Sequence, residues 1–374
     1  MLGFRERNLK YLTICFMLCI FLATGLGCGV LPHVECDGGS PYGSCTIFTV
    51  TRGDTVLFGN NEDGGGTGTY IWLCPAQEIA TAQGEISIYG AIALGYNYND
   101  AGSDGYAQGG MNSQGLCADG NAVPRVSLNP HPERESPFTY LIEQVLWTCS
   151  TVNETIEWFE SHNMGAQWSA QIHFADASGD AMVASVADGE FTYTRKGSAH
   201  FLVSTNFNLA NTSSAFAYPC WRYDAATSML EEIISEGDLT VDTVRDVLDA
   251  VHEEGTYGTK YSNIFDLVNG VVYIYHDHDF ENVVRLDLDE ELVDIVSGGE
   301  GVTEENGLVL KEVSIASLFE ETDQEPEPEP EPTEEPVEEP EKSSGIPGFG
   351  AEAVFIGVVI GLSVLWLTSK WVVS

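Results

Sequence analysis

Cys45 stands at the head of a β-prone run, Thr46-Ile47-Phe48-Thr49-Val50. A second run, Val56-Leu57-Phe58-Gly59, ends in the polar tip Asn60-Asn61-Glu62-Asp63. A deprotonated thiol is a nucleophile, and a carboxylate beside it can orient its partners or move a proton. Gly53 and Asp54 between the runs supply a turn, so a hairpin is predicted with Cys45 as the first residue of its first strand. Antiparallel register would then return the acidic tip to the start of strand one. Taken alone, the same cysteine also fits a buried or disulfide-linked residue of an exported protein.

The elements that must position such a thiol follow in order. Ile86–Tyr96 alternates as one strand, and Gly110-Met111-Asn112-Ser113-Gln114-Gly115-Leu116 is a hairpin on its Asn-x-x-Gly core, leading to Cys117-Ala118-Asp119-Gly120-Asn121. Helices are predicted over Thr139–Thr148, patterned on Leu141, Val145 and Trp147, and over Thr151–His162, which opens with capping-box spacing. Gln171–Ser185 reads as strand, turn, strand, with His173 structural. Phe201–Asn208 is a short apolar strand ending in an amide. Arg222, between Trp221 and Tyr223, heads helices over Ala225–Glu236 and Val241–His252, and Tyr261–Asp266 and Val271–Tyr275 are further strands. The glycine-rich Gly64–Gly68 lacks the Gly-Lys-Ser/Thr of a phosphate loop and is expected to be a loop beside the site. His276-Asp277-His278-Asp279 reads as a polar strand end. With no Cys-x-x-Cys and no His-Glu-x-x-His, a zinc site is disfavoured.

Cys45-Thr46-x-Phe48 followed by Phe58-Gly59-x-Asn61-x-Asp63 resembles the opening of the choloylglycine hydrolase and penicillin V acylase family, which are N-terminal nucleophile hydrolases. The Gly-Met-Asn-x-x-Gly-Leu hairpin, Thr205-Asn206 and Arg222-Tyr223 continue the resemblance, which spans roughly Cys45 to Leu292. It implies an α+β fold, the four-layer αββα sandwich, with Cys45 as the mature first residue and catalytic nucleophile and no cofactor. Its own α-amino group, with a pKa near ~7.7–8.0, would take the thiol proton without a histidine. By position, Asp63 would hold that amine, Asn206 and Asn121 would donate to the oxyanion, and Arg222 would stabilise the thiolate. Bile-salt hydrolases carry Arg where this chain has Asn60, so no substrate contact is implied there. The expected partner is a small N-acylated amide; a related cysteine dipeptidase or acyltransferase and a catalytically silent surface-binding domain are the alternatives.

The formal net charge is −42, and residues 320–342 hold 12 acids against one Lys, so most of the excess lies in the body of the chain. Such a surface disfavours nucleic acid and suits solubility in high salt. Arg5, Arg7 and Lys10 before the apolar run Tyr11–Ala23 read as a signal peptide over 1–27, with 28–44 a propeptide removed to expose Cys45. The catalytic domain is expected over 45–319, followed by an acidic Glu-Pro stalk over 320–345. Residues 346–374 resemble the PGF-CTERM sorting tail of archaeal surface proteins: Pro347-Gly348-Phe349, an apolar segment and a basic end. That resemblance implies display outside the cell through the C-terminal tail or a lipid replacing it, and a sorting peptidase as a partner. Beyond Cys45, four cysteines downstream allow at most two disulfides in an oxidising compartment.

Overall fold

The computed structural model describes residues 45–320 apart from 65–67, 83, 97–105, 212–219 and 306. These lie in the first of two units, Met1–Gln324; the second, Glu325–Ser374, is outside the described residues. So are the expected signal peptide, propeptide, sorting tail, all of the stalk beyond Glu320 and the centre of the Gly64–Gly68 loop.

The first strands are β1 (Thr46–Arg52), β2 (Thr55–Asp63), β3 (Thr69–Cys74), β4 (Gln77–Thr81), β5 (Gly84–Ile88), β6 (Ala91–Tyr96), β7 (Tyr106–Asn112) and β8 (Cys117–Ser127). Helices α1 (Leu141–Thr148) and α2 (Val152–Ser161) precede β9 (Gln167–Ala175), β10 (Ala181–Ala187), β11 (Glu190–Arg195) and β12 (Phe201–Ser204). Then come α3 (Trp221–Glu231), α4 (Val241–Ala250), β13 (Thr259–Asp266), β14 (Val271–His276), β15 (Asp279–Asp287), α5 (Leu288–Val296), β16 (Val302–Glu305), β17 (Leu308–Ser314) and α6 (Ser317–Glu320). One sheet runs β12-β1-β2-β13-β14-β15 and the other β11-β10-β9-β8-β7-β6-β3-β17-β16, with β4 and β5 forming a small ribbon.

Three apolar clusters make four layers of this. Alternation along β1 sends Ile47 into a core shared by both sheets, with Phe58, Ile71, Leu94, Phe265 and Ile274. Phe48 and Val50 point the other way, onto Leu230, Val244, Val247 and Leu248 of α3 and α4. On the far side, Val145, Leu146 and Phe159 of α1 and α2 pack against Ala118, Phe174 and Met182 of the larger sheet. The order is helices, sheet, sheet, helices, the expected αββα sandwich. Both sheets are covered on both faces, which is why their central strands lack polar alternation.

Local expectations hold with adjustments. The first hairpin turns at Gly53, whose φ of +57° favours glycine, and strand one begins at Thr46, one residue after Cys45. Ile86–Tyr96 is two strands separated by Tyr89 and Gly90, since β5 pairs with β4 while β6 joins the large sheet. In α1 the buried apolar stripe is Ile142, Val145 and Leu146, and Trp147 is only half-buried. Thr151 caps α2 by accepting from the Glu154 amide, while the Glu154 carboxylate accepts from Ser150, so the reciprocal half of the capping box is not made. The helix expected over Ala225–Glu236 starts earlier and stops at Glu231. Cys45, Cys74, Cys117 and Cys149 are free and buried, so no disulfide forms among these four.

Candidate active site

Strand pleating decides where each candidate side chain points. Thr46 pairs with Asn61, which sets Cys45 against Glu62 one step further along. Both face the second sheet, whereas Thr46 and Asp63, one residue later on each strand, face α3 and α4. The Cys45 thiol donates toward Glu62 Oε2 at 3.5 Å and lies 4.0 Å from the Asp63 carbonyl. The sequence pattern located a carboxylate beside the thiol but selected Asp63; Glu62, which sequence reasoning missed, is the side chain that arrives there.

Asp63 reaches the opposite face. Its Oδ1 accepts from the Thr259 hydroxyl, and its Oδ2 lies 3.7 Å from Arg222 Nη1. Arg222, the largest fully buried side chain, ties several elements together. Nη1 donates to Thr46 Oγ1 at 2.9 Å, Nη2 to Asn206 Oδ1 at 3.0 Å, and Nε lies 3.0 Å from Glu253 Oε1. Its partners thus include the residue adjoining the candidate nucleophile, the candidate amine holder and one of the two candidate oxyanion asparagines.

The two asparagines come from opposite directions. Asn121, on β8 of the large sheet, donates to the Cys45 carbonyl at 3.2 Å, which ties the sheets together at the head of β1. Asn206 follows β12 and donates to the Ala122 carbonyl at 2.9 Å. The irregular segment after β12 is held by Gln171, whose amide donates to the carbonyls of Thr205 at 2.6 Å and Phe207 at 2.9 Å. Gln171 carried no distinguishing signal in the sequence. All five expected residues therefore gather around the head of β1, but Asn206 and Arg222 lie behind it and do not line the cavity.

That cavity has a volume of about 600 Å³. Cys45, Glu62, Asp63 and Asn121 are among its polar lining residues, together with Gln108, Gln167 and Ser169, and Ile142, Trp168, Ala170 and Ile172 are among its apolar walls. Tyr140 and Tyr257, each more than half exposed, lie at its edge with solvent. No Lys, Arg or His is among its described lining residues. Asn60 donates to Asn263 Oδ1 at 3.2 Å and does not line it.

Burial and like charge govern the protonation of this site. Burial pushes the Cys45 thiol well up, with the Glu62 and Asp63 carboxyls adding to the shift. Burial also raises Glu62, reinforced by Asp119 and Asp63. Asp63 is driven up to about 8 by burial, against the opposing pull of Arg222 and the Thr259 hydroxyl. Asp119, likewise held up to about 8 by burial, accepts from the Gly120 amide through one oxygen, while its Oδ2 is buried without a hydrogen-bond partner. A Cβ on Gly109 would come within 2.1 Å of that oxygen and 2.8 Å of the Ala118 backbone carbonyl, so the close approach of β7 and β8 favours glycine there.

His173 is not a competing base. It is fully buried between the sheets, its two ring nitrogens are engaged by Thr49 and Ser204 at 3.0 Å, and burial lowers it to about 3. Among the described residues no group of acids, cysteines and histidines is arranged to hold a metal ion. His276–Asp279 is the end of β14, a tight turn and the start of β15, with Asp277 and His278 at positive φ.

No protein-family model matches the chain, and no curated protein matches it. Solved structures do resemble it. Two variants of the conjugated bile acid hydrolase from Clostridium perfringens superpose with TM-scores of 0.52 and 0.53, at 14% and 15% identity. They cover 68% and 72% of this chain and 95% and 97% of their own. The penicillin V acylase from Agrobacterium tumefaciens superposes with a TM-score of 0.50 at 18% identity, covering 66% of this chain and 87% of its own. At such identities the likeness establishes the shared N-terminal nucleophile hydrolase fold.

Proposed function

We propose that this chain is a cysteine N-terminal nucleophile hydrolase that cleaves a linear, non-peptide amide bond of an N-acylated small molecule. The observation that carries this reading is the placement of Cys45. It sits at the head of a central strand with its thiol in a 600 Å³ cavity, in a fold shared with a bile acid hydrolase and a penicillin acylase. His173, buried between the sheets, has both ring nitrogens engaged by Thr49 and Ser204 and so is not its partner in an ordinary Cys-His pair.

Once Cys45 is the first residue, its α-amine can accept the thiol proton. The thiolate attacks the amide carbonyl carbon, and negative charge collects on the former carbonyl oxygen. Each of Asn121 and Asn206 has one amide N–H on a backbone carbonyl, and the side chain carries a second. The Asn121 donor, which lines the cavity, is the proposed oxyanion partner, and Asn206, which does not line it, is proposed to hold Arg222 against the Ala122 carbonyl. Collapse breaks the C–N bond, the leaving nitrogen takes the proton from the α-ammonium, and a thioester to Cys45 remains. Water, deprotonated by the same amine, attacks the thioester and releases the acid. Asp63 is proposed to orient the amine, and the Arg222 guanidinium to hold Asp63, Thr46 and Asn206 in register. The apolar walls favour an apolar acyl group.

Display on the outer face of the cell membrane is part of the same proposal, supported by the sequence of the two ends. Among the described residues no helix is long and apolar enough to cross a membrane; the apolar segment at Ala353–Leu367 lies outside them.

Intact mass and N-terminal sequencing of purified protein, with assays on N-acyl amides and dipeptides, test the proposal. The expected result is a mature chain beginning at Cys45 that releases free acid from N-acyl amides, both lost in Cys45→Ala. A mature chain beginning well upstream, or unchanged activity in Cys45→Ala, overturns it. Turnover of dipeptides alone would redefine it as a dipeptidase.

A further inference from the structure

In the mature enzyme the α-amine of Cys45 is the base, but in the full chain that nitrogen is the amide of the Ser44–Cys45 bond. An amide nitrogen does not accept a proton near neutral pH. If Cys45 frees itself, some other group must take the thiol proton in that first step. Glu62 Oε2, 3.5 Å from Sγ, is the side-chain acceptor in contact with the thiol. His173, buried between the sheets, has both nitrogens occupied, and the Asp63 carboxylate is taken up by Arg222 and Thr259.

We infer that Glu62 is the general base for self-cleavage of the chain before Cys45, a role that ends when the α-amine appears. The inference rests on the proposed function. The thiol proton passes to the Glu62 carboxylate, and the thiolate attacks the Ser44 carbonyl carbon. The Ser44–Cys45 C–N bond breaks, and the departing nitrogen takes the proton back from Glu62 to become the amine. Ser44 is then held as a thioester on Cys45. Water cleaves that thioester, releasing the upstream segment with a free carboxyl and restoring the thiol. The net change is addition of one water across one peptide bond.

The surroundings suit a base rather than a permanently charged carboxylate. Glu62 is 2% exposed and is faced by Cys45, Asp63, Asp119 on β8 and Tyr261 on β13, with no cation among the causes of its shift. Burial and the neighbouring acids hold its affinity for protons far above that of an exposed carboxylate, which narrows the gap to the thiol it must deprotonate. Asp63, one residue away, serves the opposite face and is engaged by Arg222 and Thr259.

The test follows cleavage of the full chain, pulse-labelled in cell-free synthesis at low pH and chased at a series of higher pH values. Wild-type cleavage is expected to accelerate as pH rises through the Glu62 ionisation. Glu62→Gln should slow it at least ~100-fold, the usual scale for a lost general base, and accumulate precursor. Glu62→Asp, which keeps the carboxylate but withdraws it, should cleave slowly with the pH dependence retained. Cleavage of Glu62→Gln at the wild-type rate, or a wild-type rate that does not rise with pH, overturns the inference. If Glu62→Gln fails to fold, the wild-type profile and Glu62→Asp still decide. A wild-type chain never cut before Cys45 refutes the proposed function itself, and a separate result marks each failure.

Discussion

On the helix side of the β1–β2 hairpin, Asp63 meets a guanidinium and a hydroxyl; on the side facing the second sheet, Glu62 meets a thiol and other acids. The two carboxylates are adjacent in sequence and equally buried. The strand pleat sends one to a site where charge is compensated and the other to a site where it is not. Compensation suits a residue that must hold a geometry. Its absence suits a residue that must give and take a proton.

Removing the compensation should have the largest effect. Arg222→Ala removes the buried guanidinium shared by Thr46, Asn206, Asp63 and Glu253, leaves those polar groups without it, and should destabilise the fold by about 3–5 kcal/mol. Urea unfolding measures it, and a loss below about 1 kcal/mol would show that the helix-side carboxylate does not depend on its cation. Arg222→Lys keeps the charge but not the fork that joins Thr46 to Asn206, and should recover only part of the stability.

Asn121→Ala comes next. Loss of one oxyanion donor typically lowers kcat ~100- to 1000-fold. If kcat falls by less than ~10-fold while stability drops, Asn121 serves only to tie β8 to the Cys45 carbonyl.

The smallest effect should appear on the uncompensated face. In the unfolded chain aspartates release their protons near ~4, whereas in the fold Asp119 holds its proton up to about 8. Between those values the folded state binds more protons, so this contribution is intact below ~4 and is lost as pH rises toward about 8. Asp119→Asn removes the ionisation and the repulsion on Glu62. It should raise Tm at pH 8 and flatten the decline of Tm between pH 5 and 8. A steeper decline would mean that Asp119 is stabilised as the anion.

Much of this arrangement was legible in the sequence because it rests on short-range patterns. The hairpin, the Asn112 turn and the head of α3 are each specified by a few consecutive residues, whereas the four-layer order came from the family resemblance and not from the apolar pattern. The choice between Glu62 and Asp63 was within reach too, since pairing Thr46 with Asn61 fixes it, but a two-residue turn had to be distinguished from the longer Thr51–Thr55 one. What was not legible depends on long-range geometry. Gln171 reaches the Thr205 carbonyl across 34 residues, and Asp119 acquires its altered proton affinity only when burial surrounds it. The split of Ile86–Tyr96 into two strands is of the same kind, because alternation does not reveal that one half pairs with a separate ribbon.

β1 is an interior strand, paired with β2 on one side and β12 on the other. A new chain terminus ordinarily frays, because nothing restrains its last residues. Under the proposed cleavage the end before Cys45 would lie two residues ahead of the β12 pairing, which starts at Ile47, but with Thr46 already paired to Asn61 of β2, Asn121 bonded to the Cys45 carbonyl and Arg222 to the Thr46 hydroxyl. Cleavage there, as proposed, would leave those ties in place, and the new amine would be anchored by them.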